Sequence, residues 1–168
     1  MIIKAFRIIY DFYKSIKKGE FVEVVIIPFI ICFLVYIRFD RDLNTEVLTD
    51  FNTSILTLSS LLVAFGICCV TLLFSTSNNS INDAKTTSTK RKISSGYNIS
   101  YFQLIQLRVY YTVILVIVLI MLSIINTVFL IGITLNQIFY ISLFLIIHTL
   151  ATLLMSIISM YHLTWKDR

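Results

Sequence analysis

The sequence predicts an all-α fold, an integral membrane protein with four transmembrane helices and an N-terminal amphipathic interfacial helix, and three observations carry that prediction. First, 58% of the 168 residues are hydrophobic and 14% charged, whereas a water-soluble domain of this length needs a more polar surface. Second, the apolar residues fall in four runs that reach or approach the roughly 20 residues needed to cross a hydrocarbon core about 30 Å thick. Third, lysine and arginine are concentrated in alternate connections between those runs.

The predicted spans are 21–37, 55–75, 109–131 and 138–161, within a single transmembrane domain covering 1–168. The first run is the shortest and holds Glu23 and Pro28; with Arg38 snorkelling outward it still reaches a workable length. Basic residues precede it, as in a signal peptide, but no small-x-small site follows Ile37, so the span is expected to be retained. The second run holds no charge. The third contains VYYTVILVIVLIMLSIINTVFLI, and the fourth ends in the aromatic and basic stretch Tyr161 to Lys166, suited to an interface. Cys32, Cys68 and Cys69 lie inside apolar runs and read as small membrane-embedded side chains rather than as a disulfide framework or metal site.

Twelve of the fourteen basic residues lie in the N-terminal segment, the middle loop with Arg108 at its far end, and the tail, where Lys166 and Arg168 stand. Arg38 and Arg41 alone lie between spans one and two. The positive-inside rule therefore places both termini and the 76–100 polar loop in the cytoplasm. The first outer segment carries Asp40, Asp42, Asn44 and Glu46, with Asp50 beyond. It approaches a calcium loop but has Thr45 where the turn glycine belongs and Phe51 at position twelve, so no metal or other cofactor is expected.

Within residues 1–20, Ile2, Phe6, Ile9, Tyr13 and Ile16 recur at helical spacing, and Lys4, Arg7, Asp11, Lys14 and Lys18 recur on another face. Such a helix is expected to lie along the cytoplasmic headgroups, with Lys4, Arg7, Lys14, Lys17 and Lys18 facing anionic lipid. The alternative is a cytoplasmic continuation of span one. The middle loop STSNNSINDAKTTSTKRKISSGYNIS is rich in Ser, Thr and Asn; its start fits a cytoplasmic extension of span two, and from Lys85 to Asn98 disorder or conditional order is expected. Lys90, Arg91 and Lys92 are expected at lipid headgroups, and direct nucleic-acid binding is not expected.

No nucleotide loop, nucleophile elbow or histidine-rich motif is present, so the chain reads as a non-enzyme. What recurs inside the apolar runs is small and polar stripes. Thr57, Ser60, Ala64, Cys68, Thr71 and Ser75 share one face of span two, and His148, Thr152, Ser156 and Ser159 share one face of span four. Span three contributes only Ser123 and Asn126, so two spans have a polar face and this one is mostly lipid-like. The stripes fit packing within the bundle, packing between subunits, or an aqueous path. His148 is expected to be neutral and to donate to a hydroxyl of a neighbouring helix. Pro28 offers an obvious break, but no paired repeat supports a transporter.

The stretch SSLLVAFGICCVTLLFSTSNN, together with the order of basic helix, four spans and polar middle loop, resembles the small membrane subunit of the Kiwa anti-phage defence system. That resemblance implies a bacterial inner membrane and a sensing role. The expected function is thus a non-enzymatic, homo-oligomeric membrane sensor or scaffold that recruits a cytoplasmic protein partner. The alternative is a small channel or membrane-permeabilising protein.

Overall fold

The computed structural model describes residues 2–39, 45–75, 79–128 and 135–165. The order is α1 (Ile2–Ser15), α2 (Lys18–Phe21), a π-helical turn (Val22–Ile26), α3 (Ile27–Phe39), α4 (Thr45–Ser75), α5 (Asn79–Thr86), β1 (Ser88–Lys92), β2 (Asn98–Ser100), α6 (Tyr101–Val128) and α7 (Leu135–Trp165). Among the described residues, four helical stretches are long and apolar enough to cross a membrane: Lys18–Arg38, Glu46–Thr71, Tyr101–Thr127 and Gln137–Tyr161. Asp40, Asp42 and Asn44 of the first outer segment and the tail residues Lys166 and Arg168 lie outside the described residues. Glu46 and Asp50 are exposed on the first turns of α4.

The central helix is α6, which packs on α4, α7, α1 and α5, while α3 rests on α7. The mostly lipid-like composition of the third span did not foretell this central place. Aliphatic side chains cannot reveal which apolar helix sits in the middle, because lipid and protein interiors are equally apolar. The buried face of α6 runs Leu104, Ile105, Arg108, Tyr111, Thr112, Leu115, Leu119 and Ser123, a 3-4 repeat that marks one continuous stripe. Its start is set by a reciprocal capping box: Ser100 Oγ accepts the Gln103 backbone N–H at 3.2 Å, and Gln103 Oε1 accepts the Ser100 N–H at 2.9 Å.

The α4–α6 seam is tight. A Cβ added to buried Gly66 would lie 2.7 Å from Val113 Cγ2, inside van der Waals contact, and a β-branched helical side chain has little rotamer freedom with which to retreat. Gly66→Val is therefore expected to destabilise the bundle by about 1–3 kcal/mol. The milder Gly66→Ala should be rescued by Val113→Ala, read as melting temperatures in detergent. Toward the N-terminal end of α4, Asn52 Nδ2 donates to the Ser123 carbonyl at 3.1 Å and to Thr127 Oγ1 at 2.8 Å.

The α4 stripe faces away from the bundle: Thr57, Ser60, Ala64, Cys68, Thr71 and Ser75 are all exposed. Packing inside the bundle is thereby overturned for this face. The Thr57, Ser60 and Thr71 hydroxyls donate to carbonyls four residues back in their own helix, so the exposed face leaves none of these three donors unmet. The inward face of α4 is the one bearing Asn52, Ile55, Ser59 and Gly66. By contrast His148, Thr152, Ser156 and Ser159 of α7 are all buried.

Two further expectations are corrected. The segment from Lys85 to Asn98, expected to be disordered or conditionally ordered, follows α5 into an antiparallel hairpin, with Ser88 paired to Ser100 and Lys92 to Asn98. Its turn closes through Gly96 at φ +81°, where glycine meets no Cβ penalty. Ile81 and Ala84 of α5 pack with Phe102, Ile105 and Val109, so a few apolar residues suffice to order a polar stretch. Helix α1 also differs from a helix lying wholly in the headgroups. Phe12, Asp11 and Ser15 are buried, and Phe12 joins Val24, Tyr111, Leu115 and Met155 in one cluster. Phe6 and Tyr13 remain exposed, as do Lys4, Arg7, Lys14, Lys17 and Lys18. Residues 16–17 break the helix between α1 and α2, which also overturns a simple continuation of span one.

Candidate functional site

Two polar tiers cross the interior where α1, α2, the hairpin, α6 and α7 meet. The lower tier centres on Glu20. Its position three residues after Lys17 lets the carboxylate accept the Lys17 backbone N–H at 3.1 Å, which satisfies one of the open donors at the start of α2. The same carboxylate receives a bidentate pair from Arg91 of β1, Nη1 to Oε2 at 2.6 Å and Nη2 to Oε1 at 2.7 Å. It also receives Nη2 of Arg108 on α6 at 2.9 Å. Such paired, charge-assisted bonds are the strongest class of hydrogen bond in proteins.

Arg108 is 4% exposed, and its Nη1 donates to Ser159 Oγ and, at 3.5 Å, to the Met155 carbonyl. Arg91 Nη1 also donates to the Ser15 carbonyl at 3.0 Å. On the turn of the hairpin, the Ser94 backbone N–H donates to Asp11 Oδ1 at 2.7 Å. The hairpin is thus fastened to α1 at two points and, through Glu20, to both α2 and α6. Alternation along β1 turns Arg91 inward onto Glu20, while Lys90 and Lys92 stay exposed.

The upper tier begins with Pro28. Proline has no N–H, so the Val24 carbonyl four residues earlier loses its α-helical donor, and the ring crowds that carbonyl. The chain widens into the π turn Val22–Ile26, within which Ile27 N–H bonds to the Val22 carbonyl. His148 meets the freed Val24 carbonyl with Nδ1. A carbonyl only accepts, so Nδ1 carries the proton and Nε2 is the acceptor. Nε2 stands 2.7 Å from the Tyr111 hydroxyl, which in turn lies 2.9 Å from the Tyr13 hydroxyl. Phe12 stacks on Tyr111 with ring centroids 3.7 Å apart, and Phe144 stacks on His148 at 5.7 Å. His148 therefore donates to a backbone carbonyl and receives from a tyrosine, where donation to a neighbouring hydroxyl was expected.

Of the α7 stripe, Thr152 bonds to Thr112 at 3.4 Å and Ser156 bonds back to the Thr152 carbonyl at 2.9 Å. Ser60, Ala64, Cys68 and Thr71 lie on the outward face of α4 and take no part. Sequence reasoning missed Glu20, Arg108, Tyr111 and Tyr13. The available signal was charge in or beside apolar runs, since ionisable groups at such positions are rare without a partner.

Among the described residues no group of three or more His, Cys, Asp or Glu could hold a metal ion. The buried side-chain polar atoms left without a partner are, among the described residues, Ser59 Oγ and Ser123 Oγ, both outside the two tiers. A network so fully paired fixes the relative positions of its elements, and displacing one member leaves others unmet. No family model matches the chain, and neither a curated protein nor a solved structure matches it.

Proposed function

We propose that the chain is a non-enzymatic membrane sensor or scaffold whose cytoplasmic hairpin recruits a protein partner. In this reading the four apolar helices insert in the bilayer with both termini and the hairpin in the cytoplasm, as the distribution of lysine and arginine supports. The observation that carries the reading is Glu20, one carboxylate joining Arg91 of the hairpin to Arg108 of the central helix. A change in span packing is then felt by the hairpin, and engagement of the hairpin is felt by the spans. Lys90, Lys92 and Tyr97 are exposed on the hairpin and offer its contact surface. The layout shared with the Kiwa membrane subunit supports a bacterial inner membrane and a role in anti-phage defence.

The outward stripe on α4 supports assembly into a homo-oligomer through close packing of small side chains. It also favours a second reading, a small channel or permeabilising protein lined by that stripe. Two measurements separate the readings. A photo-crosslinking side chain at Tyr97 in intact cells is expected to give one discrete adduct with a cytoplasmic protein, reduced when Glu20→Gln is added. Liposomes holding the purified chain are expected to show no ion flux above protein-free controls. Flux abolished by Ser60→Leu, with no adduct at Tyr97, would replace the scaffold with the channel.

A further inference from the structure

Beside the lower tier a half-enclosed crevice of about 510 Å³ opens between the α2–π turn segment, the hairpin, α6 and α7. Glu20, Glu23, Arg91 and Arg108 all line it. The rest of its lining is mostly apolar and includes Leu154 and Ile158, which are 58% and 47% exposed and so continue onto the outer surface of the helices. Charged groups beside an open hydrocarbon wall suit an amphiphile, and the volume lies in the usual range for small-molecule sites.

The charges decide which amphiphile. Arg91 and Arg108 already share Glu20, while Glu23, one turn further along, is exposed and makes no hydrogen bond or ion pair among the described residues. The four groups sum to zero. A purely anionic headgroup would add a negative charge beside an unmatched carboxylate. A headgroup with both a phosphate and a primary ammonium leaves the sum at zero, presents its phosphate to the arginines and gives Glu23 a donor. Carboxylates at membrane depth persist where such partners exist, and charge-assisted bonds to guanidinium and carboxylate hold both ends.

We propose that this crevice binds an aminophospholipid of the cytoplasmic leaflet, its phosphate at Arg91 and Arg108, its ammonium at Glu23, and an acyl chain along Leu154 and Ile158. The proposal rests on the cytoplasmic placement of the hairpin and is independent of any protein partner. The test is native mass spectrometry of the full chain released from nanodiscs containing equal amounts of phosphatidylethanolamine, phosphatidylcholine and phosphatidylglycerol. The wild type should retain phosphatidylethanolamine in preference to the other two. Glu23→Gln should lower that preference by about tenfold, the size of one charge-assisted bond. Soluble phosphoethanolamine should not displace the lipid, because it lacks the chain that the apolar wall holds.

Equal retention of the three lipids would overturn the proposal, as would best retention of phosphatidylglycerol or unchanged preference in Glu23→Gln. Displacement by soluble phosphoethanolamine would overturn the lipid assignment as well. Glu23 is exposed, so the variant is expected to fold, and an unchanged melting temperature verifies that. The Tyr97 adduct reports the scaffold separately: its persistence alongside indifferent lipid retention would reject the crevice and keep the scaffold.

Discussion

Glu20→Gln should lower the stability of the bundle by about 3 kcal/mol and release the hairpin from it. The variant keeps the size of the side chain and an oxygen able to cap Lys17, and it removes only the charge. Two guanidiniums then face each other without a counterion, one of them 4% exposed. Removing one partner of a buried ion pair costs about 3–5 kcal/mol, and the lower end applies because the Glu20 side chain is itself 20% exposed. The ordering of variants is a sharper check than the magnitude. Arg91→Ala should cost less than Glu20→Gln, because Arg108 still pairs with the carboxylate. Replacing Glu20 and Arg108 together with methionine should also cost less than Glu20→Gln, because no charge is stranded. Thermal unfolding of the four proteins in one detergent checks both statements.

The second large effect is expected at His148. Alanine there removes the donor to Val24 and the acceptor for Tyr111, and opens space under Phe144. Hydrogen bonds between helices in lipid average only about 0.6 kcal/mol, because unmatched groups usually find other partners. Val24 has lost its usual one, since the helical donor it needs would come from residue 28. The cost is therefore expected near the value for a buried unsatisfied group, about 2 kcal/mol. Pro28→Ala restores an N–H at that position and lets the π turn revert toward an α-helix. The double variant His148→Ala with Pro28→Ala should be more stable than additivity predicts by about 1 kcal/mol, read from the four-protein cycle. Strict additivity would separate the proline from the histidine and rule out Pro28 as the cause of the π turn.

Composition and charge made the four long apolar helices legible, because the length needed to cross hydrocarbon is a property of each segment alone. The inward face of α7 was legible too, through His148, Thr152 and Ser156 at 3-4 spacing. What stayed hidden was pairing between segments far apart in the chain. Glu20 reads as an ordinary surface residue after Gly19, and Arg91 as one of three basic loop residues, until the hairpin brings them within 2.6 Å. The ordering of residues 79–100 depends on Ile81, Ala84 and Ile99 finding α6, and polar composition alone argues the other way. Ser100 with Gln103 was a readable helix start, and Gly96 after two serines a readable turn. Pro28 was visible as a break, but its consequence for Val24 required knowing that His148 stands opposite.

Coupling between the hairpin and the spans depends most on Glu20. Hydrogen exchange at the amides of residues 88–100, with the full chain in nanodiscs, tests this directly. In the wild type, Ile93 N–H bonds to the Tyr97 carbonyl and Ser94 N–H to Asp11, so these amides should exchange slowly. In Glu20→Gln they should exchange at least about tenfold faster, as local opening no longer costs the ion pair, while amides in the middle of α6 keep their rates. Fast exchange in the wild type, or equal rates in the two proteins, would contradict the coupling of hairpin to helices.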